Sequence, residues 1–334
     1  MEIAIAIIIA AVWAAVETYF LIPFFKKHQL KQYVREVGPQ SHLGKTGTPS
    51  MGGIAIFDGA AVSAIVSALI FHHFTWDLAV CLIAMLLYGL IGFIDDYQKA
   101  IKKNNKGISG KQKIVLQTAF GLGLGIYAYL TSDATLASNM VSVSSSSIFI
   151  PLFNVAIDLK IFYIAWVIFV MTAFSNSVNL TDGLDGLAGG ITALVAASMT
   201  CVMIAFNRPD LPVFFAGICG ACIGFLVFNI HPARIFMGDT GSMALGGGLA
   251  AAAILSKSEF ILALAGLVYV CESVSVIMQV SYFKLTHGKR IFKMAPIHHH
   301  FELCGMKETG VVKMFWTVTF ILTILAVVVG YLSM

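Results

Sequence analysis

Ten runs of apolar residues, each near the length that crosses a bilayer as a helix, bound what this chain can fold into. They cover 3–24, 51–71, 78–94, 114–130, 161–178, 187–206, 212–228, 243–255, 260–283 and 314–331. A helix needs roughly 17–25 residues to cross the hydrocarbon, and only helices or closed barrels satisfy their own backbone there. Hydrophobic residues make up 58% of the 334 and charged ones 11%, against about 25% charged in soluble domains. The expectation is one all-α polytopic membrane domain over 1–334 with about ten transmembrane helices. The run at 243–255 is short and glycine-rich, and is the least secure unless 238–241 extend it.

Alternating these runs across a membrane puts eighteen of the 21 Lys and Arg in the loops after the odd-numbered runs. Only Lys160, Arg208 and Lys257 fall on the other side. Basic residues concentrate in the cytoplasm, so an even count with both termini extracytoplasmic is expected. The polar stretch 131–160 then lies outside, and the alternation at 148–157 predicts a small external hairpin between spans four and five. The first run follows only Glu2 on its polar side and has no small-residue cleavage pattern, so it reads as a retained span. A net charge of +4 requires no nucleic acid, because lysines facing anionic lipid and phosphate account for it. Cys219 and Cys222 have redox spacing. Inside an apolar run beside Gly217, Gly220 and Gly224 they read instead as small residues at a packing surface.

The chemistry gathers in five short stretches. NLTDGLDG at 179–186 carries Asp182 and Asp185 three apart, on one face if the stretch is helical; a turn rich in Asn, Asp and Gly accounts for the same residues. The third run ends in DDYQK at 95–99. Adjacent helical residues point ~100° apart, so one of Asp95 and Asp96 should look inward while the other meets a lysine or backbone. Carboxylates sit badly at a helix C-terminus, which asks for a partner such as a metal ion, Lys99 or Lys111. NIHPARIFMGDTGS at 229–242 offers an amide in Asn229, a ring in Phe236, Arg234, and a carboxylate in Asp239. GKTGTPSMGG at 44–53, with Lys45 and Ser50, can wrap an anion but lacks the Walker order. In APIHHHFE at 295–302, the consecutive His298, His299 and His300 do not share a face. That argues against the i, i+4 zinc arrangement and suits hydrogen bonding to an anionic substrate. Glu17, Asp58 and Glu272 fall inside apolar runs, where a charge is costly; a functional role and an inward-facing structural one are both open.

Asp95 and Asp96, Asp182 and Asp185, Asp239 and the histidines follow the third, fifth, seventh and ninth runs, so all face the cytoplasm in this topology. Oxygen donors without a thiolate select a hard cation, and Mg²⁺ takes one or two carboxylates and leaves other positions to water and phosphate. A metal on phosphate oxygens with lysines nearby is the equipment of phosphoryl transfer.

Together, in this order, the five stretches resemble the phospho-N-acetylmuramoyl-pentapeptide transferase family, within the polyprenyl-phosphate N-acetylhexosamine-1-phosphate transferase superfamily. The resemblance runs from the first loop to the last, and the HHH run separates this family from its relatives. It implies a bacterial inner-membrane enzyme of peptidoglycan synthesis with its active site on the cytoplasmic face. Such an enzyme moves phospho-MurNAc-pentapeptide from UDP-MurNAc-pentapeptide to undecaprenyl phosphate, giving lipid I and UMP, with Mg²⁺. Carried over by position, Asp239 resembles the metal ligand and Asp95 the residue on the lipid phosphate, with Asp96 and Lys99 beside it. Asn176, Asn179 and Asp182 would line the centre; Leu184, Asp185, Asn229 and Phe236 the uridine pocket; Lys45, Ser50, His298, His299 and His300 the sugar and peptide side. A phosphate monoester with a second pKa of about 6 is mostly dianionic at neutral pH, so Asp95 is expected to orient Lys99 or the metal more than to remove a proton. Two rivals remain at this stage: a transferase using UDP-GlcNAc, and a secondary transporter, which would gather its ionisable groups at the midplane between internal repeats. The sequence leaves homodimerisation open.

Overall fold

The computed structural model describes residues 1–28, 47–102, 107–131, 134–135 and 142–333; Lys45 lies outside them. The described chain runs α1 (Glu2–Lys27), α2 (Gly53–Ile70), α3 (Trp76–Lys102), α4 (Gly110–Thr131), β1 (Ala134–Thr135), β2 (Ser142–Val143), β3 (Ser147–Ile150) and β4 (Val155–Asp158). It continues through α5 (Phe162–Thr181), α6 (Leu187–Ala205), α7 (Leu211–Asn229), α8 (Gly238–Leu255), α9 (Glu259–Ala265), α10 (Leu267–Leu285), α11 (Ile297–Leu303) and α12 (Glu308–Leu332). β3 and β4 pair antiparallel, with Ile148 opposite Ile157.

Among the described residues eight helices are long and apolar enough to cross a membrane, or nine if α9 and α10, which meet at 81°, form one span. The ten expected runs all fall on helix, and two of them explain the difference. The ninth is broken at Gly266. The eighth begins at Gly238, taking in 238–241, and every residue from Thr240 to Leu255 is buried. A helix sheathed by other helices never meets lipid, so it need not be uniformly apolar; α8 is accordingly rich in Gly and Ala where its neighbours are rich in Ile, Leu and Phe.

Close packing without large side chains holds the bundle together, as expected where lipid competes with every apolar contact. α1 buries Ala6, Ala10 and Ala14, one turn apart. A Cβ on Gly220 or Gly224 of α7 would collide with the carbonyl oxygens of Ile7 and Ala11. Cys219 and Cys222 are buried at this surface as free thiols. Large apolar side chains such as Phe20, Phe169, Ile277 and Ile321 point outward.

At the end of the bundle where α6 meets α7, Arg208 ties three elements together. Its Nη2 lies 2.7 Å from Asp77 Oδ2 at the start of α3 and 3.2 Å from Asp210 Oδ2, and its Nη1 donates to the Leu255 carbonyl at 2.9 Å. Thr75 Oγ1 donates to Asp210 and Tyr127 to Asp77. Burial works against the Asp210 carboxylate, but the hydrogen bonds and charge of Arg208 outweigh it and hold the group below its ordinary value. Arg208→Ala is expected to destabilise the protein by roughly 1–3 kcal/mol at neutral pH, as for other charge-assisted hydrogen bonds. A depressed carboxylate stabilises above its unfolded pKa, and that contribution disappears as pH falls through its folded value. Melting temperatures of the purified protein and variant should therefore differ at pH 7 and converge in strong acid.

Candidate active site

The site forms where α3 ends and α8 begins. The first amides of a helix have no intrahelical acceptor and carry partial positive charge, and α8 meets this need with a carboxylate from another helix. Asp96 Oδ1 accepts from the Asp239 N–H at 3.2 Å, and Asp96 Oδ2 accepts from the Thr240 N–H at 2.9 Å and its hydroxyl at 2.8 Å. The approach is so close that a Cβ on Gly92, one turn before Asp96, would collide with the Asp239 carbonyl. Glycine is required there by contact rather than by conformation.

Asp95, on the adjacent direction, turns to two lysines. Lys99 Nζ is 2.6 Å from Asp95 Oδ2 and 3.1 Å from Asp239 Oδ2; Lys113 Nζ is 3.2 Å and 2.6 Å from the same two oxygens. Asp95 Oδ1 accepts from the Ile108 N–H at 2.8 Å. One oxygen each from Asp95, Asp96 and Asp239 lie within 4.8 Å of one another. The two neighbours, pointing ~100° apart, take different partners, Asp96 the α8 backbone and Asp95 the lysines, while an oxygen of each stays within reach of the other and of Asp239.

Asn179, near the end of α5, donates to Asp239 Oδ1 and to Ser242 Oγ, each at 2.9 Å. Asp182 follows α5 and accepts from the Gly238 N–H; burial and the nearby Asp239 and Asp96 carboxylates push its carboxyl up to about 8. Among the described residues the donors gathered here are oxygens, and three of the carboxylate oxygens, from Asp95, Asp96 and Asp239, are converged closely enough to hold a hard divalent cation.

The remaining residues singled out in the sequence occupy three neighbouring positions. The Gly47–Gly53 segment zips onto the Phe236 loop: Phe236 N–H donates to Pro49 at 2.8 Å, and Gly52 and Gly53 N–H donate to Phe236 and Met237 at 2.9 Å. Ser50 and the half-buried Phe236 therefore sit together at the head of α8. Asn229 is buried and committed, its Oδ1 accepting from Gly186 N–H and its Nδ2 donating to the Ile235 carbonyl. Asp185 Oδ2 accepts from the Ala233 N–H at 3.0 Å and faces His231 Nδ1 at 3.1 Å, while Glu308 accepts from the Asp185 N–H. Leu184 is buried beside them. Asn176 lies one turn inward of Asn179 and donates to Gln117 and Thr172.

His298 is buried and joins the site across Gly183, on which a Cβ would collide with His298 Nε2. His299 Nδ1 is 2.8 Å from Glu302 Oε2, and His300 Nδ1 accepts from the Lys293 N–H. The sequence reading missed Lys113 and named Lys111, which is exposed. The signal was present: Lys113, Gln117, Gly121 and Leu124 recur at helical spacing, and Gln117, Gly121 and Leu124 form the buried face of α4.

The fold and the site together define a helical membrane protein that presents a carboxylate and lysine centre, able to hold a metal ion, at the ends of its helices. The glycosyl transferase family 4 model matches residues 78–257, and phospho-N-acetylmuramoyl-pentapeptide-transferase signature 1 matches 45–57. Phospho-N-acetylmuramoyl-pentapeptide-transferases of Bacillus thuringiensis (strain Al Hakam) and Bacillus cereus (strains AH187 and G9842) are each 44% identical over 309 residues, 92% of this chain and 92% of theirs. The chain belongs to the phospho-N-acetylmuramoyl-pentapeptide-transferase family.

Since Asp96 caps α8, Asp96→Ala is expected to cost stability as well as turnover, by about 1–2 kcal/mol, the usual cost of losing a helix cap. Denaturation of the purified variant in detergent measures the first and UMP release the second. A variant that melts like the wild type would show that Asp96 does not hold the helix.

Proposed function

We propose that this protein transfers phospho-MurNAc-pentapeptide from UDP-MurNAc-pentapeptide to undecaprenyl phosphate, forming lipid I and UMP in peptidoglycan synthesis. The reading is carried by the convergence of Asp95, Asp96, Lys99, Lys113, Asn179 and Asp239 at one helix head, in a chain 44% identical over most of its length to transferases of that name. It takes the chain as a single ten-helix domain, counting α8 and the bent α9–α10 pair, with both termini and the β3–β4 hairpin outside the bacterial cytoplasmic membrane and the site facing in. The one-sided distribution of basic residues supports that orientation.

The lipid phosphate, already a dianion, attacks the phosphorus that bears the sugar. A new P–O bond forms as the bond between the two phosphates of UDP breaks, and UMP leaves with the electron pair. Lys99 and Lys113 stand where charge builds on the transferring group and are fixed by Asp95 and Asp239. Asp239 would hold Mg²⁺, which when bound would supply positive charge against the charge of the phosphates. Asp95 spends both oxygens on Lys99, Lys113 and the Ile108 amide, the posture of an orienting residue. Leu184, Asp185, Asn229 and Phe236 shape the nucleotide side, with the last stacking on uracil, and Lys45, Ser50, His298, His299 and His300 the sugar and peptide side.

Three measurements test this. The purified protein should release UMP from UDP-MurNAc-pentapeptide only when undecaprenyl phosphate is present, stop with EDTA, and resume with Mg²⁺; release from UDP-GlcNAc instead would favour the rival transferase. Asp239→Ala should be inactive at every Mg²⁺ concentration, and near-normal rates would remove it as ligand. Asp95→Asn should lose activity at all pH values, whereas recovery at high pH would make Asp95 a proton acceptor.

A further inference from the structure

Glu272 lies near the start of α10, directly after the 81° break, and its side chain is fully buried. Its Oε1 is 3.1 Å from His298 Nδ1, and the histidine side chain is 1% exposed. Neither carboxylate oxygen and neither ring nitrogen makes a hydrogen bond of good geometry among the described residues, so the 3.1 Å approach of Oε1 and Nδ1 is the polar contact the pair has. A buried carboxylate with a single polar neighbour is tolerable only if that neighbour shares a proton with it. At 3.1 Å a small turn of the ring lets Oε1 and Nδ1 share that proton. The ring is thereby oriented, and Nε2 is left on the opposite edge, buried and without a protein partner.

That nitrogen abuts Gly183, the residue after Asp182. Asp182 in turn accepts from Gly238, the residue before Asp239. One short path therefore leads from the unpartnered Nε2 to the carboxylate and lysine centre. Orphaned buried polar atoms are rare in native proteins, and this one borders the place where an anionic ligand would lie.

We propose that Glu272 is a positioning residue for the transfer reaction, holding His298 by Nδ1 so that Nε2 meets the diphosphate or sugar oxygens of the incoming nucleotide sugar beside Gly183. The inference rests on the transferase reading above. It follows the logic by which a buried carboxylate behind a histidine sets the direction of the ring. It also accounts for α10 carrying an acid at a depth where one is costly, since α11 is too short to orient its own histidine.

Four proteins in detergent test it: wild type, Glu272→Ala, Glu272→Gln and His298→Ala, with the Glu272→Ala/His298→Ala double variant completing a cycle. Glu272→Ala should lower kcat by about tenfold to a hundredfold, the range for removing the partner behind a functional histidine. Glu272→Gln keeps the volume and one acceptor oxygen, so it should fold and recover most of that loss. The double variant should be no slower than His298→Ala, because the acid acts through the ring; multiplied losses would overturn the proposal. So would a Gln variant as slow as the Ala variant at unchanged melting temperature. Independently of turnover, ¹⁵N-histidine spectra of the substrate-free protein should show a protonated Nδ1 in the signal missing from His298→Ala, and lose that preference in Glu272→Ala. If wild type turns over but His298→Ala is unimpaired, the positioning role falls and the transferase stands. If wild type is inactive, the transferase reading falls, and the spectra still decide whether Glu272 holds the ring.

Discussion

The contact on which the rest depends is the seating of the α8 N-terminus on the Asp96 carboxylate. Uncapped amides at a helix head, away from bulk water, would be expensive, and Asp96 satisfies two of them with one side chain. Once α8 is seated there, Asp239 in its first turn is brought against Lys99 and Lys113, and Asn179 reaches it from α5. Four helices contribute to one centre because one helix end demanded an acceptor. Asp96 is thereby distinguished from Asp95: the first builds the centre and the second tunes its lysines.

Among the described residues Lys99 and Lys113 face Asp95 and Asp239, while burial and the nearby carboxylates push the Asp182 carboxyl up to about 8, so that it keeps its proton at neutral pH. The lysines draw together the same oxygens a cation would need, so the centre keeps its shape without it. Such preorganisation leaves little rearrangement for the moment of reaction.

Much of this was legible in the chain. Apolar length located nearly every helix, because lipid imposes a hydropathy that soluble folds do not. The five polar stretches were visible because little else in the chain is polar. What was hidden depended on who packs against whom. α8 is enclosed, so its glycines and alanines carry no lipid signal. Lys113 looks like its exposed neighbour Lys111 until the phase of α4 is read from Gln117 and Gly121. Asn229 and Asp185 look like ligand residues in sequence, and in the fold their polar atoms also bind the 230–235 loop to the start of α6. Glu272 could not be paired in advance, since its partner lies beyond a long loop and on a different helix.

The placement of the acids also separates this protein from a transporter. A carrier needs its ionisable groups along a route through the middle of the bundle, opened and closed by one half rocking on the other. Here Asp95, Asp96, Asp182 and Asp239 sit at helix ends, and the body of α8 beyond them is closed by contact. A Cβ on Gly246 would press on the backbone of Ser175, and one on Gly247 or Gly248 would press on Tyr88 or Met85. Close packing of this kind makes α8 rigid, and rigidity is what an active site at a helix head requires. The small residues that make α8 a poor-looking span are therefore what fastens Asp239 in place.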